Sequence, residues 1–444
     1  MSTPATRARR IAPHRRARAF TLVELMVSLV AGLIVTIAVV GLAKTATNTF
    51  YEQARLSTVE ASVRTAAERL RQDLSRASFM STGNIKLARN DSASVPMGHK
   101  ISHVPGAITP SRYAATDNLQ GIRIFVGGSK TGAQGPKSLS DVNGLNPDRL
   151  DLTGNFTTDD LYRGRMLGTD TIIVQAASDP AVARLIAGPD PTTAVRNAFT
   201  PGAPTGAMPP FVVRVVDPRG CSHFAVLSNI TATAVGATFV LAPAVSGSPV
   251  LTPTEDQSTC GATDQDEVTI NPVHTIRWYI GPTNIALEAD PGVSPAGDKF
   301  DLYREIRDAN GNAVPSPGGP QVVAEYAVDL KVGITVNDPA PALVPPANHR
   351  VFEMDANSTD IVAWANQASV SVAGAPGPQR IRSVRFRLAT RASLPDRDAP
   401  LSLLPGQPYL SRYCTEMTAP CKRFARVRTI MSEVALFNQA GMTY

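Results

Sequence analysis

Residues 20–43 read FTLVELMVSLVAGLIVTIAVVGLA, and Glu24 is the single charge among them. As a helix this stretch is roughly 36 Å long at ~1.5 Å per residue. That length crosses a hydrocarbon core of about 30 Å. Arg7, Arg9, Arg10, Arg15, Arg16 and Arg18 precede it, and no acid does. The asymmetry predicts a cytoplasmic N-terminus with the rest of the chain on the far side of the membrane. A lone carboxylate in lipid costs at least a few kcal/mol, so Glu24 is a candidate functional residue.

The order of parts differs from a cleaved secretory signal, which ends after its apolar region at small residues. Here the small residues Ala17 and Ala19 come before the apolar run. The paired arginines are not followed by the Phe-Leu of a twin-arginine signal. A basic leader, a small residue, Phe20-Thr21-Leu22-Val23-Glu24 and an apolar helix together resemble the class III signal of type IV prepilins. The resemblance implies a prepilin peptidase that cuts between Ala19 and Phe20 and methylates the new Phe20 amine. Glu24 is then the fifth mature residue, pairing with the N-terminal ammonium of a neighbouring subunit during assembly. The chain has Ala19 where the family usually has Gly.

Charge agrees with a detachable leader. The chain holds 43 Lys+Arg and 37 Asp+Glu. Without the six leader arginines, the two totals are equal. A nucleic-acid interface needs a basic face on the folded domain, and composition indicates none on the mature chain.

Beyond Ala43, Leu56, Val59, Val63, Ala67, Leu70, Leu74 and Ala77 recur every three or four residues. The spacing predicts an amphipathic helix over 44–80 with one buried stripe. Glu60 and Arg64 form an i,i+4 ion pair. The helix ends near Ser78–Gly83, where Ser-Thr-Gly breaks it, and spans roughly 90 Å from Phe20 to about Phe79. Gly32 and Gly41 are weak points, each costing ~1 kcal/mol relative to Ala.

Residues 81–444 read as β-rich and extracytoplasmic, and their length leaves one lobe or two open. Alternating runs occur at 121–126, 149–152, 171–175, 211–217, 222–227, 237–241, 275–280, 302–306, 325–336, 369–372 and 383–389. Turn residues bound them, as in antiparallel strands. Asp217-Pro218-Arg219-Gly220 predicts a type I turn joining 211–217 to 222–227. Asp308-Ala309-Asn310-Gly311 predicts another turn. Stretches 84–118, 178–210, 243–265, 286–300 and 337–349 read as loops or insertions. The expected fold is α+β: a long N-terminal pilin helix packed on an antiparallel β-rich domain with large loop insertions.

Cys221, Cys260, Cys414 and Cys421 all lie in the exported part, where disulfides persist. Four cysteines allow three pairings. The short loop from Cys414 to Cys421 favours that pair, which leaves Cys221 with Cys260. Other constellations are weak. Cys221 and His223 share a strand face, but a structural disulfide is the better reading. His99 and His103 are bracketed by Pro and Gly, so no helical metal pair forms. Asp308-x-Asn310-x-Asn312 starts like an EF-hand loop, but Ala313 and Gly319 break the pattern. Asp264–Glu267 and Asp290–Asp301 read as solvated loop charge rather than calcium ligands. Residues 127–131 lack the Gly before Lys of a phosphate loop. No catalytic set, metal site or cofactor motif emerges.

Three later segments resemble PilW-type minor pilins: residues 169–174 (TDTIIV), 322–336 (VVAEYAVDLKVGITV), and 381–391 with 423–438. The resemblance implies a low-abundance pilus subunit that primes assembly and sits near the tip. Its partners are then prepilin peptidase, other minor pilins and the major pilin, a tip adhesin, the inner-membrane assembly platform and membrane lipid. Its location is then the inner membrane, single-pass, followed by the extracellular pilus. A J-type minor pseudopilin of type II secretion shares the N-terminus. A membrane-anchored extracytoplasmic enzyme is the alternative of a different class.

Overall fold

The computed structural model describes residues 21–85, 100–101, 119–127, 145–201, 210–220, 222–242, 262–282, 299–314, 320–337, 349–354, 358–366, 377–395, 412–415 and 423–440. The chain divides into two units, Met1–Ser57 and Thr58–Tyr444. Helix α1 (Leu22–Ser75) runs without a break through the boundary. In the first unit it is exposed along its described length except at half-buried Leu56.

In the second unit, α1 buries Val63, Ala66, Ala67, Leu70 and Leu74. These follow the i, i+3/i+4 spacing that puts one stripe on a core. The stripe packs between two antiparallel sheets. One side of that core comes from β2 (Ile122–Phe125), β3 (Arg149–Gly154), β9 (Glu267–Pro282) and β10 (Phe300–Arg307). The other comes from β12 (Ala327–Asn337), β14 (Ile381–Arg391) and β16 (Phe424–Ala435). β13 (His349–Phe352) and β15 (Arg412–Cys414) flank this second sheet, in the order β13-β12-β14-β16-β15.

The chain passes between sheets at one tight corner. β11 (Gln321–Ala324) still pairs with β10, whereas β12 pairs with β13 and β14. Tyr326, between them, adopts a left-handed φ of 54°. Its amide donates to the buried Asp301 carboxylate at 2.9 Å. Segment 322–336 is therefore two strands joined by a tight turn at 325–326.

A second core lies within the same unit. β4 (Tyr162–Leu167) pairs with β5 (Thr171–Gln175), and β5 with β8 (Gly236–Ala242). β8 pairs with β7 (Ser222–Thr233), and β7 with β6 (Phe211–Val216). β6 then pairs with the first half of β9, which also pairs with β4. The six strands close into a ring of antiparallel pairs, which removes free edges. β6 and β8 lie on opposite edges of β7 and both pair with Val226 and Leu227, and a bulge between Leu227 and Asn229 interrupts the β7–β8 ladder. Such a small ring is tight. A Cβ on Gly236 would lie 2.4 Å from the Val174 carbonyl oxygen, so the close approach of β8 to β5 requires glycine.

Inward residues from all six strands fill the ring, among them Met166, Ile172, Phe239, Leu227, Val213 and Ile270. Two helices add to this core: α2 (Pro180–Ile186) and α3 (Pro191–Phe199). Phe199 stacks against Tyr162 and Phe239, with ring centroids 4.9 and 4.5 Å apart. The reading of 178–210 as loop is thus corrected. Asp179 and Asp190 cap the two helices, each followed by Pro at the first helical turn. Aspartate N-caps and Pro at N1 are helix-start signals. A third helix, α4 (Ser358–Asn366), buries Ile361, Trp364 and Ala365 in the first core.

β9 joins the two cores. Its Val268 and Ile270 face the ring core, and its residues 276, 278 and 280 face α1. At 16 residues it spans roughly 50 Å. The short β1 (Lys100–Ile101) adds to β7 in parallel. A final helix, α5 (Phe437–Ala440), comes after β16. The architecture is α+β, with a long N-terminal apolar helix leading into antiparallel sheets.

Candidate functional site: helix α1 and its anchorage

The start of α1 is closed by its own side chains. The Thr21 amide donates to Glu24 Oε2 at 3.1 Å, and the Glu24 amide donates to Thr21 Oγ1 at 3.2 Å. The Thr21 hydroxyl also donates to Glu24 Oε2 at 3.1 Å. This is a reciprocal capping box, with Thr21 as N-cap and Glu24 three residues on. An amide that would be orphaned at a helix start is satisfied without water. A carboxylate at the positive end of the helix dipole is also favoured. The residue pattern Thr-x-x-Glu carried this signal in the sequence. Ala19 and Phe20 lie outside the described residues, so the proposed cut is a sequence inference.

The rest of the apolar half prepares the helix for a non-aqueous medium. None of its apolar stretch is buried. By length and composition it is the one described helix able to cross a membrane. Leu22, Val23, Leu42 and their apolar neighbours are all more than half exposed. Its hydroxyls bond back to the preceding turn, Ser28 to Leu25 O, Thr36 to Gly32 O and Thr45 to Gly41 O, at 2.7–3.0 Å. Buried hydroxyls without partners are costly in lipid, and these have partners. A Cβ at Gly32 or Gly41 would meet no atom within 4 Å. Neither glycine is needed for packing within this chain.

The far end of α1 is fastened by charge. The Asp73 carboxylate is buried and accepts from Trp278 Nε1 at 3.0 Å. It also accepts from Arg304 Nε at 2.7 Å and Nη2 at 3.3 Å. One acid on the helix thus holds β9 and β10 together beneath it. Arg76 donates to the carbonyls of Asn155 and Thr158, both at 3.0 Å, and pairs with Asp159. Asn438 Nδ2 donates to the Ser75 carbonyl at 2.8 Å, satisfying one terminal acceptor. The helix ends at Ser75, ahead of the 78–83 segment where the sequence placed its end, and Ser78 and Met80 just beyond it have positive φ.

Two further titratable groups act in packing. Asp148 accepts from the amides of Gly127 and Val332, both at 3.0 Å, and from Lys331 Nζ at 3.1 Å. Burial raises its pKa, and the Lys331 charge and the amide donors oppose that shift. His274, on β9, is fully buried with Nε2 3.0 Å from the Phe199 carbonyl, so Nε2 is the donor. Burial pushes its pKa down to about 4, leaving it neutral near pH 7.

The weaker constellations resolve into structural roles or fall outside the described residues. His223 Nε2 lies 3.2 Å from buried Asp217 Oδ2, at the predicted Asp217–Gly220 turn. Asp308 Oδ1 accepts from the amides of Asn310 and Asn312 at 2.9 and 2.8 Å, forming an Asx turn. The Asp264 carboxylate accepts from the Gly168 amide at 2.8 Å, and Asp266 from Thr263 at 2.7 Å. Among the described residues, no group of three or more His, Cys, Asp and Glu is placed to hold a metal. Cys414 is fully buried on β15, and no described cysteine is a free thiol. Cys221, Cys260, Cys421, His99, His103, Asp290, the strand expected at 369–372 and most of 127–131 lie outside the described residues.

Residues 14–40 match the family model described as the prokaryotic N-terminal methylation motif. No curated protein and no solved structure matches the chain. The matched segment covers part of the arginine-rich leader, the capping box and most of the apolar half of α1. The motif indicates a protein of the type IV pilin or pseudopilin kind, anchored by a single membrane pass. It points to a structural rather than an enzymatic role.

Proposed function

We propose that the chain is a minor pilin of a type IV pilus, priming assembly and sitting at or near the tip. The observation that carries this reading is the methylation motif, with its capped and fully exposed apolar half of α1. Prepilin peptidase cuts between Ala19 and Phe20 and methylates Phe20. Glu24 then exchanges its own-helix donors for the ammonium of a neighbouring subunit. Before assembly the N-terminus lies in the cytoplasm and the helix spans the inner membrane. The partners are the other minor pilins, the major pilin, the assembly platform and a tip adhesin.

The size of the exported part favours a terminal place over a repeated one. An exported part built on two cores, one of them inside the closed ring, crowds close neighbours in a helical array. A tip subunit has neighbours on one side only. The second reading is a J-type pseudopilin of a type II secretion system, which the same motif supports.

These measurements test the proposal. Peptide mapping of the membrane form is expected to find N-methylated Phe20, and an intact Met1 overturns the prepilin reading. Ala19→Leu is expected to block that cleavage, whereas Ala19→Gly preserves it. Quantitative mass spectrometry of sheared fibres is expected to find the chain far below the major pilin. Loss of secreted enzymes with intact pili in a deletion strain selects the pseudopilin reading instead.

A further inference from the structure

The outer wall of the six-stranded ring carries a groove of about 650 Å³ that the assembly reading does not use. Its wall is built by β4, β5, β9 and the end of β6. Two rows of side chains cross these strands. Arg163 lies directly opposite Thr269, which lies opposite Val216. Arg165 lies opposite Ile173 on one side and Glu267 on the other. Arg163, Arg165, Gln175 and Glu267 are exposed.

The charges in this groove are unevenly matched. Arg165 faces Glu267, so that row is close to neutral. Arg163 has Thr269 opposite and Gln175 beside it in the groove wall. The buried Asp217 at the groove's end is occupied, accepting from the Arg219 amide at 3.0 Å and contacting His223. Neither Arg163 nor Arg165 makes an ion pair or side-chain hydrogen bond among the described residues. A guanidinium fork beside an amide and a hydroxyl matches a carboxylate, which accepts several hydrogen bonds in one plane. Ile173, Val216 and Pro218 supply apolar wall around it.

We propose that this groove binds an extended acidic segment of a protein partner, with a carboxylate seated on Arg163 between Gln175 and Thr269. A polypeptide fits better than an acidic sugar. Among the described lining residues there is no aromatic ring for a sugar to stack on. The mixed amide, hydroxyl and carboxylate lining instead offers donors and acceptors to a peptide backbone. The site lies on the ring and does not depend on where the chain sits in a fibre.

The test uses the full chain in detergent micelles and a fluorescein-labelled hexaglutamate peptide, read by fluorescence anisotropy. Saturable binding is expected, weakening as salt rises. Labelled hexaglutamine is expected not to bind. Arg163→Gln is expected to weaken hexaglutamate at least about tenfold, the loss of one charge-assisted contact. Arg163→Lys keeps charge without the planar fork and is expected to fall between the two. Thr269→Val removes a hydroxyl without altering charge and is expected to weaken binding severalfold. Arg163 has no side-chain partner among the described residues, so its variants should keep the wild-type melting temperature. Absence of saturable binding, or equal binding by Arg163→Gln and wild type, overturns the site. Displacement of the peptide by trigalacturonate at lower concentration than by unlabelled hexaglutamate overturns the peptide assignment in favour of an acidic sugar.

Discussion

Two carboxylates on one helix, Glu24 and Asp73, work in places with little water, and each depends on its donors. Glu24 is satisfied by Thr21, so the monomer can wait in a membrane without an unpartnered acid. Glu24→Ala removes a charge that opposes insertion, so membrane insertion should remain intact. Incorporation into fibres should be lost, because the ammonium of the neighbouring subunit has no counter-charge. Thr21→Ala removes half of the capping box, worth about 1 kcal/mol, and keeps the carboxylate. It should incorporate better than Glu24→Ala, as immunoblots of sheared fibres would show. Normal amounts of Glu24→Ala in those fibres would sink the assembly role. Asp73 is the opposite case, a buried acid facing a buried Arg304 and an indole N–H. Asp73→Ala leaves that guanidinium uncompensated, and the expected cost is about 3–5 kcal/mol. Denaturant unfolding monitored by Trp fluorescence checks this, since Trp278 loses its partner in the same change.

At the scale of elements, β9 and α3 are coupled through His274 and the Phe199 carbonyl. The His274 pKa is depressed in the fold to about 4, from an ordinary 6.5. Between those values the unfolded chain binds a proton that the folded chain does not. Stability is therefore fully present above about pH 6.5 and declines as pH falls toward 4. The full decline amounts to about 3 kcal/mol. Thermal melts from pH 7 to pH 4 should show it, and His274→Gln should flatten the profile. An unchanged slope in that variant means another group is responsible. Strands with clear alternation, such as Thr171–Gln175, were legible because alternation reports one buried face. Helices α2 and α3 were hidden by the Pro-, Ala- and Gly-rich composition of 178–210, although their two Asp-Pro starts were there to be read. β4, with Arg163, Gly164 and Arg165 in six residues, has too few apolar residues to read as a strand. It is a strand because β5 and β9 pair with it on both sides.

At the scale of the whole molecule, the proposed disulfides Cys221–Cys260 and Cys414–Cys421 both act on the exported domain. Cys221 adjoins β7 of the ring, and Cys414 ends β15 of the second sheet. Each bridge would restrict the unfolded chain, Cys221–Cys260 over a long loop and Cys414–Cys421 over a short one, contributing about 2–4 kcal/mol. The exported protein is expected to contain no free thiols. Reduction should then speed proteolysis of the domain, which reports local opening. Alkylation of Cys221 without reduction would overturn the pairing. It would also revive a reactive thiol beside His223.

The amino-acid sequence by itself determined the membrane-spanning helix, its likeness to a prepilin signal, the buried stripe from Val63 to Leu74 and the antiparallel character of the strands beyond the helix. Each depends on contacts close along the chain or on a period of 3.6 or 2. Tertiary structure alone decided that six strands close into a ring, that β9 serves two cores, and that Asp73 meets Trp278 and Arg304. Those pairings join residues up to 231 positions apart. No local pattern encodes such partners, because a strand shows which face is buried but not which strand lies beside it.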